Sequence, residues 1–596
     1  MKDEITALQQ EMKEKNIDFY FIPPTDPHNS EFPHAHFKAI EFLSGFTGES
    51  AWLLVSRENA WLWTDGRFFL QAEKQLEGSG ITLMKIGVKG VPTVLGLLMQ
   101  LVKKRRRMVL AFDGHVVSAK IANVWEQQLS PMGVTLKEHV DLISSIWTNR
   151  PPLNPSALYV LPPSSSGIPA SRKKNRLMRE MVESGADWML LSDLTETAWT
   201  TNLRGTDIAC TPVFYSYLLI SSNPDQLAQL FLLPGAEIND AAEDSDEPQE
   251  NLGFLTIRDY NEIENVLRTL PPDHTIWMDS DTVSAAVYQA AAERHVIIDE
   301  PTPAQMMKAI KNDVEIASTR ETMVYDGCAM VEFIHWLKTT VSKHTITEMD
   351  AAEYLKRRRL EQPGCFDLSF PTVSAYGPDA ALIHYFPTAE SDAELKAEGF
   401  LLVDSGGQYT TGTTDITRTI ALGPLTDEMK EVYTRVLKSH IALATAHLGP
   451  DASSCALDKL ARKPLTDTGL NFNHGISHGI GHVLSVHEGP NIIDPKVECP
   501  LVSGMIQSDE PGVYLEGKFG VRIENELLCC AENAGDRYFE TLTLCPYERD
   551  AIDSSLLTED EINWINAYHR RVEEALLPHL HKEDRKFLQV MTAPLC

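Results

Sequence analysis

The sequence predicts a mixed α/β (α+β) chain built from three domains. Its 596 residues, at about 100–200 per domain, imply about three to five domains. Helix-like and strand-like segments follow one another in an order that repeats once within the first half. Beyond residue 313 the pattern changes to long helices and to strands punctuated by glycine. Hydrophobic residues make up 43% and charged residues 23%, close to ordinary globular usage, which excludes wholesale disorder, collagen and coiled coil.

The first domain is placed at 1–152. A polar helix leads to the apolar stretch Phe19–Ile22. Two strand-like runs follow, Ala51–Val55 and Ala60–Trp63, joined by Ser-Arg-Glu-Asn, and Asp65-Gly66 opens a helix over Arg67–Gln75. The segments Arg150-Pro-Pro-Leu-Asn-Pro and Pro162-Pro-Ser-Ser-Ser-Gly punctuate the boundary. The second domain, 153–312, repeats the order: a helix Ser171–Ser184, the apolar Trp188–Leu191, then Thr195–Leu203 and a strand pair, Phe214–Ile220 and Leu227–Leu233. The two read as related modules. The acidic run 235–251 reads as a mobile loop without chemistry. In the third domain, 313–596, Val324, Cys328, Val331, Ile334 and Val341 recur at helical spacing. A second helix, Glu348–Glu361, stops at Pro363-Gly364. Strands span 366–545, interrupted by helices near 426–447 and 454–462, and the tail Glu559–Val590 reads as one or two helices.

Charge and cysteine usage exclude several functions. Lys and Arg number 53 against 84 Asp and Glu, a net charge of −31. Such a chain repels nucleic acid and anionic membranes unless a basic patch is set apart. The run Lys103–Arg107 follows the apolar Val94–Val102 and reads as the basic last turn of a helix. Nine cysteines, an odd number with no C-x-x-C pair, suggest buried thiols in a reducing compartment. The N-terminus lacks the apolar core of a secretory signal. No stretch approaches the ~18 apolar residues of a membrane span. The expectation is a soluble cytoplasmic protein with no nucleic-acid or membrane partner.

Unusual polar residues concentrate between 382 and 525. Asp404 alone could be a turn aspartate, and so could Asp415. A hairpin centred between Tyr409 and Thr410 would bring them face to face. Glu510 and Glu524 repeat the arrangement about Gly517, the middle of a three-residue Glu-Gly-Lys loop of a favoured hairpin length. Like charges directly opposite are destabilising, and four carboxylates in one pocket need compensation. Two divalent metal ions would supply it. Oxygen-rich ligands with one imidazole suit Mn²⁺, Co²⁺ or Zn²⁺. The imidazole should come from His474, His478, His482 or His487. A competing motif, Gly475-Ile-Ser477-His-Gly479, matches the nucleophile elbow of serine hydrolases. An elbow needs a buried strand before it and a helix after it, whereas Leu470-Asn-Phe-Asn-His is polar and Gly479 and Gly481 weaken a helix.

On these residues the C-terminal region resembles the pita-bread metallopeptidases, which include methionine aminopeptidase, prolidase and aminopeptidase P. Phe42-Leu-Ser-Gly-Phe-Thr-Gly48, Trp63-Thr-Asp-Gly-Arg67 and Ile146-Trp-Thr-Asn-Arg-Pro151 extend the resemblance to the long, three-domain cytosolic form of aminopeptidase P. It implies two creatinase-like N-terminal domains, a pita-bread catalytic domain and a homodimer. It implies Asp404 on one metal, His478 and Glu510 on the other, and Asp415 and Glu524 bridging both. A hydroxide shared by two Mn²⁺ ions would be the nucleophile and Glu510 the general base. His384, His474 and His487 match histidines that hold substrate, donate to the oxyanion and shuttle a proton. Arg522 would pair with Asp404 and orient it. The implied substrate is a peptide with a free N-terminal residue followed by proline. A prolidase acting on X-Pro dipeptides, or a non-catalytic pita-bread binding module, are the alternatives. One departure stands out: Ser477 replaces the second glycine of the family's H-G-x-G-H. If that position needs positive φ, serine there is strained.

Overall fold

The computed structural model describes residues 2–103, 107–239, 252–449, 453–533 and 535–596. Most of the basic run (104–106) and most of the acidic run (240–251) lie outside the described residues. The chain divides into two compact units. The first comprises Met1–Pro162, Ile168–Ala209 and Val213–Ala304; the second comprises Pro163–Gly167, Cys210–Pro212 and Gln305–Cys596.

The first unit holds two six-stranded sheets. One consists of β1 (Phe19–Ile22), β2 (Ala51–Ser56), β3 (Ala60–Thr64), β4 (Ile81–Lys85), β5 (Met108–Ala111) and β6 (Val134–Lys137), in the order β4-β3-β2-β1-β5-β6. The other consists of β7 (Trp188–Leu191), β8 (Ser216–Ser221), β9 (Ala228–Leu232), β10 (Leu255–Asp259), β11 (Thr275–Met278) and β12 (Val296–Asp299), in the order β10-β9-β8-β7-β11-β12. Position by position the two orders are identical. In both, the first three strands pair antiparallel and the remaining pairs are parallel. The repeated order of segments in the sequence is therefore a repeat of topology. One boundary differs from expectation. The helix after Asp65-Gly66 begins only at Phe69, because the Asp65 carboxylate accepts from the Arg67 backbone and guanidinium and holds 65–67 in a turn.

In the second unit α1 (Asp313–Thr340) starts at a capping box in which the Asn312 side chain accepts from Glu315 N and the Glu315 carboxylate accepts from Asn312 N. It buries Met323, Cys328, Val331, Ile334 and Leu337. α2 (Glu348–Leu360), α3 (Asp427–Ala444), α4 (Ser454–Thr466), α5 (Glu559–Leu576) and α6 (Lys582–Met591) complete the long helices. A three-stranded sheet holds β13 (Val373–Tyr376), β14 (Phe400–Ser405) and β15 (Ile416–Ala421) in that order. A five-stranded sheet runs β17 (Glu488–Ile493), β16 (Ser477–Gly479), β18 (Ile506–Asp509), β21 (Asn525–Asn533), β22 (Asp536–Thr541). Between them β19 (Gly512–Leu515) and β20 (Phe519–Arg522) form a two-stranded ribbon. Phe400, Tyr433, Val436, Leu437, Ile506 and Leu527 pack in one core, so α3 lies against these strands.

The two carboxylate pairs differ in register. Gly512 pairs with Arg522 and Leu515 with Phe519, centring the ribbon on Gly517 as expected, and Gly517 takes a left-handed φ of 71°. Asp404, by contrast, pairs with Thr417 rather than Asp415. The hairpin tip carries its own short ladder, Gln408 with Thr413 and Tyr409 with Gly412, so its centre falls between Thr410 and Thr411. Asp415 is therefore displaced diagonally from Asp404.

Candidate metal centre

The predicted ligands stand in or beside short strands, where hydrogen bonds fix the backbone. Asp404 lies near the end of β14 and Asp415 just before β15. Asp415 N donates to Glu526 Oε1 over 2.9 Å. His478 sits in β16, its backbone N donating to Ser508 Oγ at 3.0 Å. Glu510 follows β18 and donates to Ile476 O (3.0 Å), and Glu524 links β20 to β21 and donates to Thr417 O (3.1 Å).

Ligand atoms of three sets lie within 4.8 Å of one another: Asp404, Asp415 and Glu524; His478, Glu510 and Glu524; and Asp415, His478 and His487. The structure thus brings all five expected ligand residues together, with Glu524 common to the first two sets, and adds His487. His478 Nε2 is 3.3 Å from Asp415 Oδ2 and 3.6 Å from Glu510 Oε1. Its Nδ1 lies 2.9 Å from Gly479 O. A carbonyl only accepts, so Nδ1 carries a proton and Nε2 is the nitrogen that faces the carboxylates, the one a metal would take on displacing its proton.

The electrostatics fit a cationic guest. Burial, reinforced by Asp415, Asp404 and Glu510, holds Glu524 well above the usual carboxylate range. Burial also raises Glu510, though His478 and Arg522 oppose it. Burial raises Asp404 as well, against the pull of Arg522. Burial alone would lower His478, but Asp415 and Glu510 outweigh it and push the imidazole up to about 9. Among the described residues Arg522 is the guanidinium that bonds directly to one of the four carboxylates. Its Nη2 donates to Asp404 Oδ2 at 2.7 Å, Nη1 to Tyr514 Oη at 2.8 Å and Nε to Thr417 Oγ1 at 3.2 Å. Thr417 Oγ1 in turn donates to Glu524 Oε2 at 2.7 Å. Asp404 Oδ1 is buried without a hydrogen-bond partner among the described residues. Four converging carboxylates, an imidazole lone pair and an orphaned carboxylate oxygen are the donor set that hard to borderline divalent ions take.

The other histidines divide. His487 lies edge-on to His478, ring centroids 4.4 Å apart. His474 places Nδ1 2.7 Å from Gly475 O and Nε2 2.9 Å from Tyr514 Oη. Its Nδ1–H donates to the carbonyl, and Nε2 accepts from the tyrosine. Burial, then Arg522, holds His474 well below its ordinary value, so it is neutral. His384 is half-buried in the turn after the short helix Gly377–Ala381 and lies close enough to His474 to lower its basicity. His482 is turned elsewhere: Nε2 donates to Ser165 O and Nδ1 accepts from Thr319 Oγ1.

Ser477 is not at an elbow. It opens the short strand β16, and no helix follows that strand before β17. Its Oγ is buried with no hydrogen-bond partner among the described residues. Its φ is not left-handed either, so the expected strain is absent. Sequence reasoning missed Tyr514, Thr417 and Glu526. Tyr514 could have been found from the ribbon centre, since it lies diagonal to Arg522 on the same face.

Comparison with known proteins agrees with this geometry. Residues 317–530 match metallopeptidase family M24, and 538–595 match the C-terminal region of peptidase M24. Residues 5–146 and 149–315 each match a creatinase/prolidase N-terminal domain. Aminopeptidase P1 of Lotus japonicus is 33% identical, the match covering 100% of both chains. The chain belongs to the aminopeptidase P family. A probable Xaa-Pro aminopeptidase P of Laccaria bicolor is 34% identical over 98% of this chain and 91% of its own. The crystal structure of an X-prolyl aminopeptidase from Caenorhabditis elegans, described as a cytosolic enzyme with a di-nuclear active site, gives a TM-score of 0.91 at 30% identity, covering 100% of this chain and 99% of that one. This aminopeptidase P-family chain therefore combines creatinase-type N-terminal domains with a pita-bread M24 domain, and all five converging residues fall inside the M24 segment.

Proposed function

We propose that this chain is an Xaa-Pro aminopeptidase that removes the N-terminal residue from peptides with proline second, works with two divalent metal ions, most simply Mn²⁺, and acts as a cytoplasmic homodimer. The observation that carries the reading is the pair of ligand sets that share Glu524, on a chain that matches aminopeptidase P relatives from end to end.

Asp404, Asp415 and Glu524 would hold one cation, and His478, Glu510 and Glu524 the other. When bound, two such ions lower the pKa of a water and polarise the scissile carbonyl. Glu510 accepts the proton of the attacking water at its carboxylate and returns it to the departing proline nitrogen. General base catalysis of this kind is worth roughly 10²–10⁴-fold. His487, beside His478, donates to the developing oxyanion. His384 and the neutral His474–Tyr514 pair flank the substrate. Arg522 opposes the burial that raises Asp404 and aims its carboxylate inward. A bond to proline lacks an N–H, so a pocket that does not demand that donor suits it.

Hydrolysis of an X-Pro-Y tripeptide against an X-Pro dipeptide, with and without Mn²⁺, tests the reading. Metal-dependent release of X from the tripeptide is expected. Cleavage confined to the dipeptide would make the chain a prolidase, and cleavage of neither would leave a binding module.

A further inference from the structure

Immediately after His487 the chain carries a charge cluster that the metal centre does not use. Glu488 is held by two lysines: Lys308 Nζ lies 2.7 Å from Oε2 and Lys311 Nζ 2.5 Å from Oε1. The three side chains are 1%, 5% and 1% exposed. Burial alone would raise the Glu488 carboxyl, and the two ammonium groups outweigh it and hold it below its ordinary value. A buried ion triad is weak as a stabilising device, because desolvation offsets most of the attraction. Its value lies in fixing a geometry.

The segment it fixes is strained. Val483 has φ 50° and is fully buried; among the described residues it is the only β-branched one in the left-handed region. Such a conformation persists only where its surroundings over-determine it. They do so here at several points. Gly481 N donates to Ser485 O (3.0 Å). His482 donates to Ser165 O, and Gln408 Nε2 donates to Leu484 O at 2.8 Å. A Cβ at Gly481 would stand 2.6 Å from Ser485 O, so the loop has no slack there. Residues 480–487 are thus pinned along their length, and Glu488 is the anchor at the end that bears His487.

We propose that Glu488, clamped between Lys308 and Lys311, is the positioning residue for His487: it holds the strained loop so that the imidazole stays beside His478. The inference rests on the reading that His487 acts in the reaction. A group displaced by about 1 Å loses up to ~10²-fold in rate. The test is a double-mutant cycle on the metal-loaded enzyme. Glu488→Gln should lower kcat by about 10–100-fold with KM and metal stoichiometry nearly unchanged. In the His487→Ala background the same change should cost less than about twofold, because the group it positions is gone. Lys308→Met, which leaves Lys311 in place, should give the same non-additive pattern more mildly, and it decides the matter if Glu488→Gln does not fold. An equal loss in both backgrounds, or loss of metal from Glu488→Gln, overturns the clamp. Wild-type turnover by His487→Ala instead overturns the role of His487, and the clamp with it.

Discussion

Glu510 and Glu524 face each other across the gap between two ladders that keep one register. On one side of the gap Asp509 pairs with Asn525, and on the other Gly512 pairs with Arg522. Pro511 lies in the gap and has no N–H to donate, though its carbonyl accepts from Ile523 N at 3.3 Å. Two carboxyl groups are thus fixed directly opposite, an arrangement that repels unless a cation or a proton intervenes.

Metal removal should destabilise the protein more at about pH 8 than at about pH 6. In the metal-free site burial and mutual repulsion raise Glu510 and Glu524. A raised carboxyl contributes stability that is fully present in acid and is lost as pH rises through its folded-state pKa. Cation binding needs the ionised forms, so affinity should also rise with pH. Melting curves with and without chelator at the two pH values check this. A chelator effect equal or larger at the lower pH would contradict it, and Mn²⁺ should restore both stability and activity.

Histidine substitutions should separate ligand from reactant. His478→Ala should lose metal and activity together. His384→Ala, His474→Ala and His487→Ala should retain metal yet lose kcat, by roughly 10²–10³-fold where an oxyanion donor is removed. His482→Ala should keep its metal and most of its turnover while costing about 1–3 kcal/mol of stability through its broken buried hydrogen bonds. Metal stoichiometry measured beside kcat and Tm decides. Metal lost from His482→Ala but kept by His478→Ala would reverse the assignment.

Arg522→Lys should be far from conservative. Arg522 spreads three nitrogens over Asp404, Tyr514 and Thr417, and an ammonium cannot match that fork. A fall of roughly 10–100-fold in activity or metal affinity is expected, read by kinetics and metal titration. A variant with native values in both would remove Arg522 from the site's support.

Ser477→Ala and Ser477→Gly should stay active, and serine-directed covalent reagents should not label the enzyme. The buried, unpartnered hydroxyl has no base to activate it. Loss of turnover with metal content intact would restore the nucleophile reading.

His115 should add stability in a defined pH window. Its ring bonds Asp113 (3.1 Å) and Glu264 (3.0 Å), and these carboxylates raise it to about 10. The contribution is fully present below the unfolded value of about 6.5 and is lost as pH rises through about 10. The ring is half-exposed, so solvent screening keeps the effect small. The Tm gap between wild type and His115→Gln should therefore be present at about pH 6 and vanish above about pH 10; a gap that widens with pH would refute it.

The carboxylate pairs show what a linear reading can reach. The Glu510–Glu524 register was legible because one glycine at a loop centre sets it, and the loop's other neighbours agree. Asp404 and Asp415 were misregistered by two positions because the hairpin turns at Thr410-Thr411, one residue later than expected, and no glycine at the loop centre marks the turn. Tyr514 and Glu526 escaped notice because each alone is an ordinary strand residue. Lys308 and Lys311 meet Glu488 across almost 180 positions of sequence, and nothing in their spacing foretells it.

By itself the sequence determined the local matters: periodicity, turn chemistry and the order of residue types, and through them the repeated N-terminal module, the pita-bread family and the five residues that the structure brings together. These are legible because hydrophobic period and glycine placement act over a few residues. Only the tertiary structure decided which way each histidine turns, that Ser477 lies in a strand with its hydroxyl buried and unpartnered, that Tyr514 and Thr417 share Arg522 with Asp404, and that Lys308 and Lys311 close on Glu488 beside His487. Those outcomes depend on which distant groups share a desolvated space, where a single neighbouring charge or hydrogen bond outweighs any local preference.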